Sequence, residues 1–170
     1  MGSKTSNSAK SKFFDDFKSK SDECNIEEYD VAKRCSFNFS FFDESQKCGK
    51  TWKNVGDANV VNINEKIKNF SRESLVHWKS ESVKSGRSIY EEYDEYPTNN
   101  DFEYPKNVPK GVIWGRFRIS AKMRLVGFTI PKNLHGNIVS VSNRDYVYST
   151  NTFYIVFLDT KHVFYKTEKK

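Results

Sequence analysis

An α+β fold is what this 170-residue chain predicts, with N-terminal helices and one early strand, then a C-terminal antiparallel sheet of four to five strands. Three patterns carry that expectation. Val60, Ile63, Ile67 and Phe70 recur three and four residues apart, which places them on one face of a helix. Phe37, Phe39 and Phe41 alternate with Asn38 and Ser40, the period of a half-buried strand. From Val112 onward the apolar runs are short, rich in β-branched and aromatic residues, and separated by polar turns.

Taken in order, residues 1–10 are mainly Ser, Lys and Asn without apolar periodicity, so a disordered tail is expected before a single domain over 11–170. Phe13, Phe14 and Phe17 sit at helical spacing within Ser11–Lys20 and predict a short amphipathic helix. The Phe37–Phe41 strand is closed by the turn-rich stretch Asp43–Lys50. Asp57 is placed to cap the helix that ends near Phe70, and a second helix follows from Ser71, with Ser74 as another cap, burying Leu75 and Trp78. Residues 81–110 hold Pro97, Pro105 and Pro109, several tyrosines and no regular period, so they read as a long acidic loop that packs through its rings. Val112–Ile119 and Arg124–Ile130 read as strands joined by the tight connection Ser120–Met123. Pro131 stops the second of them, Lys132–Asn143 reads as a polar loop around Gly136, and Tyr146–Tyr148 as a short strand. Thr152–Leu158 and Val163–Lys166 complete a hairpin around Asp159-Thr160-Lys161-His162.

The charges are unevenly placed along this frame. Between Tyr104 and Arg144 lie eight cations (Lys106, Lys110, Arg116, Arg118, Lys122, Arg124, Lys132, Arg144) and no carboxylate. Just before them, Glu81–Glu103 holds seven acids against Lys84 and Arg87. Clustered Lys and Arg concentrate polyanions, so nucleic acid, RNA favoured, or an acidic protein is the expected partner. The plainer reading is a solvated basic surface, or one covered by the chain's own acidic segment. Hydrophobic residues make up only 36% of the chain, but aromatics reach 15%, and large rings fill a core that aliphatics would otherwise build.

Several function classes lose their simplest support. No apolar run reaches the eighteen or so residues of a membrane span and no secretory apolar region is evident, so no membrane partner and a cytoplasmic location are expected. The opening Met1-Gly2-Ser3-Lys4-Thr5-Ser6 formally fits the N-myristoylation pattern, a match too short to carry weight. Cys24, Cys35 and Cys48 form neither an even disulfide framework nor a paired zinc motif and read as reduced thiols. With scattered histidines and no nucleotide-binding or nucleophile-elbow glycine motif, no metal and no cofactor is expected.

The residues left to carry chemistry lie late in the chain. On a strand, Trp114, Arg116 and Arg118 share one face and Phe117 and Ile119 the other, with Arg124 close by across the turn. Arginine forks suit phosphate and an indole suits a base, so Trp114, Arg116, Arg118, Lys122 and Lys161 are the expected nucleic-acid contacts. His162, beside Lys161 at a strand edge, and Tyr165, three residues on, are candidates for proton transfer. Asp159 reads as a turn-former, and His77 and His135 read as structural and solvent-facing histidines.

Trp114-Gly115-Arg116-Phe117-Arg118-Ile119, Arg124-Leu125-Val126-Gly127-Phe128, Phe153–Leu158 and His162–Tyr165 together resemble the C-terminal sheet of RelE-like bacterial toxins. That resemblance implies helices followed by an antiparallel sheet, and metal-independent cleavage of messenger RNA by acid–base attack of the ribose 2′-hydroxyl. Carried over, it gives Arg116, Arg118 and Arg124 the phosphate and its developing charge, with Arg124 in a catalytic role beside His162 or Tyr165. This chain departs from the family in its length, its acidic loop and the stretch Lys132–Asn151. The C-terminal block is also similar to small proteins of bacteria and mobile elements, which implies a setting of conflict or phage defence. The functional expectation is a nucleic-acid-directed protein and possible toxin-like endoribonuclease. The alternative is a non-catalytic binding or inhibitor protein acting through its basic sheet face or its acidic loop.

Overall fold

The computed structural model describes residues 11, 12, 26, 30–93 and 95–166. The chain divides into two compact units, Met1–Lys33 and Arg34–Lys170. In the first, the described structure includes a 3₁₀ turn, Val31–Lys33, where Lys33 pairs with Asp30 at 2.9 Å. The predicted tail 1–10 and, beyond Ser11 and Lys12, the predicted helix Ser11–Lys20 lie outside the described residues, as does Cys24.

The second unit is α+β. Its helices are α1 (Asp57–Phe70) and α2 (Leu75–Ser80). Its strands are β1 (Ser36–Asn38), β2 (Tyr90–Tyr93), β3 (Ile113–Arg118), β4 (Arg124–Thr129), β5 (Ile138–Val141), β6 (Arg144–Val147) and β7 (Thr152–Asp159). A five-stranded sheet runs β1-β7-β4-β3-β2, and β5 with β6 forms a separate ribbon. The large sheet is mixed, since β1 joins β7 in parallel while the other neighbours are antiparallel. Among the described residues no helix is long and apolar enough to cross a membrane.

Helix α1 has the predicted extent, but Asp57 is its first residue rather than its cap. Gly56, at φ 88°, occupies the cap position without a side-chain hydrogen bond. Asp57 instead places a carboxylate at the positive end of the helix dipole. Ser74, not Ser71, opens α2, with its Oγ accepting from the His77 backbone N–H at 3.1 Å. Ser71 closes α1, its hydroxyl donating to the Ile67 carbonyl at 2.9 Å.

Both faces of the sheet are buried. On one, Phe117, Leu125, Phe153, Ile155 and Leu158 meet Ile63, Phe70, Leu75 and Trp78 from the helices. On the other, Trp114, Val126, Phe128 and Phe157 meet Phe102, Val108 and Phe164 from loops. The acidic segment does pack through its rings: Phe102 stacks on Phe157 at 4.5 Å and Tyr96 meets Trp114 edge-on at 4.8 Å. It is not all loop, however. Tyr90–Tyr93 forms β2, because its alternating rings and acids pair in register with β3, Glu91 opposite Arg116 and Tyr93 opposite Trp114. Likewise the predicted polar loop Lys132–Asn143 contains β5, whose partner β6 covers the predicted Tyr146–Tyr148 strand in part. Val163–Lys166 is no strand. The backbone N–H groups of Val163 and Phe164 turn back onto Asp159, as described below.

Strands β4 and β7 approach closely where their register shifts between Val126 and Gly127. A Cβ at Gly127 would collide with the Tyr154 carbonyl oxygen and sit 2.9 Å from the Phe153 ring. Backbone cannot yield as a flexible side chain does. Gly127→Ala is therefore expected to destabilise the unit by about 3 kcal/mol, the upper range of overpacking, measured by chemical denaturation.

Candidate functional site

Strand alternation sends Trp114, Arg116 and Arg118 to one face of β3, but their surroundings differ. Trp114, 1% exposed, is enclosed by the aromatic cluster and so is not open to stack a nucleobase. The expectation of an exposed indole fails because the loop rings Tyr96 and Tyr104 cover it. Arg116 lies at the rim of that cluster, and Arg118 at the end of the strand. In register, Arg118 faces Arg124 and Arg124 faces Asp159, so β3, β4 and β7 set three charged side chains in one row. Like charges directly opposite repel.

That row opens into a cavity of about 890 Å³ lined by Arg116, Arg118, Lys122, Arg124, Lys161 and His162. The structure thus brings six of the sequence-predicted site residues together. Arg87, Ser88 and Glu91 add to the wall from the segment before and within β2. They were missed because the sequence places them in an acidic loop. The hint was Arg87, a lone arginine between Gly86 and Ser88. The other cations of the basic stretch go elsewhere. Lys110 sits 4.0 Å over the Tyr104 ring, Lys106 lines a cleft with Asp43, Glu44 and Glu103, and Arg144 belongs to the β5–β6 ribbon.

The guanidiniums are held mostly by neutral oxygens. Arg116 Nε donates to the Tyr93 hydroxyl at 2.6 Å, and its Nη2 pairs with the Glu91 carboxylate. Arg118 Nε donates to the Ser88 carbonyl at 3.2 Å. Arg124 Nη1 donates to the carbonyls of Ser120 at 2.7 Å and Met123 at 2.8 Å, and so locks the β3–β4 turn. Its expected catalytic role thus meets a competing one: 2% exposed, it braces that turn from beneath the cavity. Among the described residues neither Arg118 nor Arg124 forms an ion pair. Two buried donors, Arg116 Nη1 and Arg124 Nε, find no hydrogen-bond partner among the described residues. Leaving such a donor unmatched costs about 1–3 kcal/mol, a cost that a bound anion can offset.

Burial, with the neighbouring Arg116 and Arg118 charges, lowers the Arg124 pKa to about 10. Arg118 is lowered too, by burial first and then by Arg116 and Arg87. At neutral pH Arg124 remains cationic, so the cavity keeps its field.

Asp159 positions the last wall. Its carboxylate, 1% exposed, accepts from the backbone N–H groups of Lys161 at 3.0 Å, Val163 at 2.8 Å and Phe164 at 2.9 Å. This bears out Asp159 as a turn-former and explains why the chain does not run on into a strand. The turn holds His162 at φ 61°, a left-handed conformation that histidine tolerates better than most residues. Burial pushes the His162 pKa down, and the Arg124 and Arg116 charges push it further, partly opposed by Asp159. Its surroundings therefore favour the neutral imidazole over the imidazolium.

Tyr165 does not line the cavity. It stacks on Tyr93, ring centres 4.8 Å apart and 13° from parallel. His77 lies edge-on to Trp78 and His135 Nδ1 accepts from the Thr150 N–H at 3.3 Å, both structural contacts. Cys35 and Cys48 are free thiols, and burial pushes Cys35 up to about 12. Among the described residues no group of three or more His, Cys, Asp or Glu side chains is gathered.

The arrangement makes a direct claim on His162. Observed by NMR, its ring should titrate below the free value of about 6.5. Binding of inorganic polyphosphate should move that midpoint upward, because a polyanion stabilises the imidazolium. No protein-family model, curated protein or solved structure matches the chain, so the functional reading rests on this cavity.

Proposed function

We propose that the cavity binds the phosphate backbone of RNA. The observation that carries this reading is the convergence of six permanent cations (Arg87, Arg116, Arg118, Lys122, Arg124, Lys161) on one cavity where, among the described residues, Glu91 is the single lining carboxylate. Guanidinium forks match phosphate oxygens, and the two unpartnered donors lie in side chains of the same wall. The acidic segment does little to neutralise this field: Glu92 pairs with Lys79, Asp101 with Lys166, and only Glu91 reaches a cavity arginine among the described residues. Those internal pairs also weaken the reading of an inhibitor protein acting through the acidic loop.

A second reading, cleavage, is favoured by the neutral His162. Such an imidazole beside guanidiniums suits removal of a proton from a ribose 2′-hydroxyl. The 2′-oxygen then attacks phosphorus, the P–O5′ bond breaks, and the 5′-oxygen takes a proton from solvent, leaving a 2′,3′-cyclic phosphate. This is the RelE-like chemistry with His162 as base. Tyr165, one ring removed from the cavity wall, and Arg124, engaged by the turn, have weaker claims to reacting atoms.

One set of measurements addresses both readings. RNA affinity should fall with salt at a slope of roughly −0.7 per phosphate contacted, and Arg118→Ala should reduce that slope by about one contact. It should also strengthen as pH falls through the His162 midpoint, since protonation adds a cation, and His162→Ala should abolish that dependence. Salt-independent binding, or none at low salt, contradicts the proposal. In chelator, RNA cut by the native protein but only bound by His162→Ala supports cleavage. RNA retarded and intact with both proteins leaves binding alone.

A further inference from the structure

Beside the cavity an aromatic ring is held flat at the surface. Tyr165, 42% exposed, has one face covered by Tyr93 in near-parallel stacking. Tyr93 is itself tied to the cavity wall, because its hydroxyl accepts from Arg116 Nε at 2.6 Å. A single ring thus separates the exposed tyrosine from a cavity arginine.

The segment carrying Tyr165 is clamped on both sides. Phe164 before it is 1% exposed within the aromatic cluster. Lys166 after it donates its backbone N–H to the Asn99 carbonyl at 3.2 Å, accepts from Asn99 Nδ2 at 3.2 Å, and pairs with Asp101 through its ammonium. The outer ring is therefore pre-organised, and little entropy is lost when a partner settles on it.

We infer that Tyr165 is a stacking platform for a nucleobase, so that the site takes single-stranded RNA with its phosphates in the cationic cavity and an unpaired base on the ring. This rests on the phosphate-binding reading above and narrows it. A paired duplex keeps its bases stacked on one another and offers no free face to Tyr165, whereas a single strand does. The role also differs from proton transfer: it needs the ring and not the hydroxyl.

The test uses three probes by fluorescence anisotropy, namely a short single-stranded oligoadenylate, a blunt RNA duplex and inorganic polyphosphate competing for the cavity. Tyr165→Leu keeps an apolar cover over Tyr93 but removes the ring, and Tyr165→Phe keeps the ring. Tyr165→Leu should bind oligoadenylate about 5- to 150-fold more weakly, the range for loss of one base stack. Tyr165→Phe should bind as the native protein does, and polyphosphate affinity should be unchanged in both. Native protein should prefer the single strand to the duplex. Unchanged oligoadenylate binding by Tyr165→Leu, or an equal loss of polyphosphate, overturns the platform while leaving the cavity reading intact. Failure of every polyanion to bind the native protein removes the cavity reading, and the platform with it. Thermal denaturation of each variant confirms that a loss of affinity is not a loss of fold.

Discussion

Three guanidiniums lie side by side at one end of β3 and β4, and the structure tolerates their repulsion by giving them backbone oxygens more often than carboxylates. This distinction governs everything built around them. A carbonyl satisfies a buried N–H without cancelling its charge, whereas a carboxylate does both. Arg124 is bound by the Ser120 and Met123 carbonyls and Arg118 by Ser88, while only Arg116 meets an acid. The result is a fixed, partly desolvated positive field that, among the described lining residues, only Glu91 offsets, through Arg116. Such a field is costly to hold without a ligand, which is why it reads as a binding site and not as an ornament of the sheet.

Asp159, buried behind the lining, anchors the turn that carries Lys161 and His162. Its charge spreads over three backbone N–H groups and folds the chain back, bringing Lys161 and His162 to the cavity and Phe164 into the core. One buried carboxylate thus couples packing to the site: the turn that delivers the histidine is the turn that seats a core ring. The same proximity moderates the downward push on His162 from the arginines. Removing Asp159 would therefore disturb stability and site together, and it is a poor residue for separating the two.

Local patterns were legible where one face of an element is buried. The helical spacing through Val60 and Phe70 and the alternation of Phe117 with Arg116 and Arg118 survive into the structure, because the apolar members of each pattern pack into the helix-covered core. What was not legible came from pairing between strands, which no single strand's own pattern reveals. Tyr90–Tyr93 looks like loop until β3 lies beside it, and β5 gains its strand character only from β6. The site followed the same division. Arg116, Arg118, Arg124 and His162 were predictable from strand alternation and the closing turn. The burial of Trp114 was not, since it depends on loop rings far off in sequence, and Arg87 and Glu91 entered only through the unforeseen edge strand.

Side-chain NMR of the arginine Nε–Hε groups, followed while single-stranded RNA is added, bears most directly on the central claim. The Arg116, Arg118 and Arg124 signals are expected to shift together and saturate at one common affinity, with Arg124 Nε gaining the hydrogen bond it lacks among the described residues. Shifts confined to Arg144 on the ribbon, with the three cavity arginines unmoved at saturation, would contradict that claim.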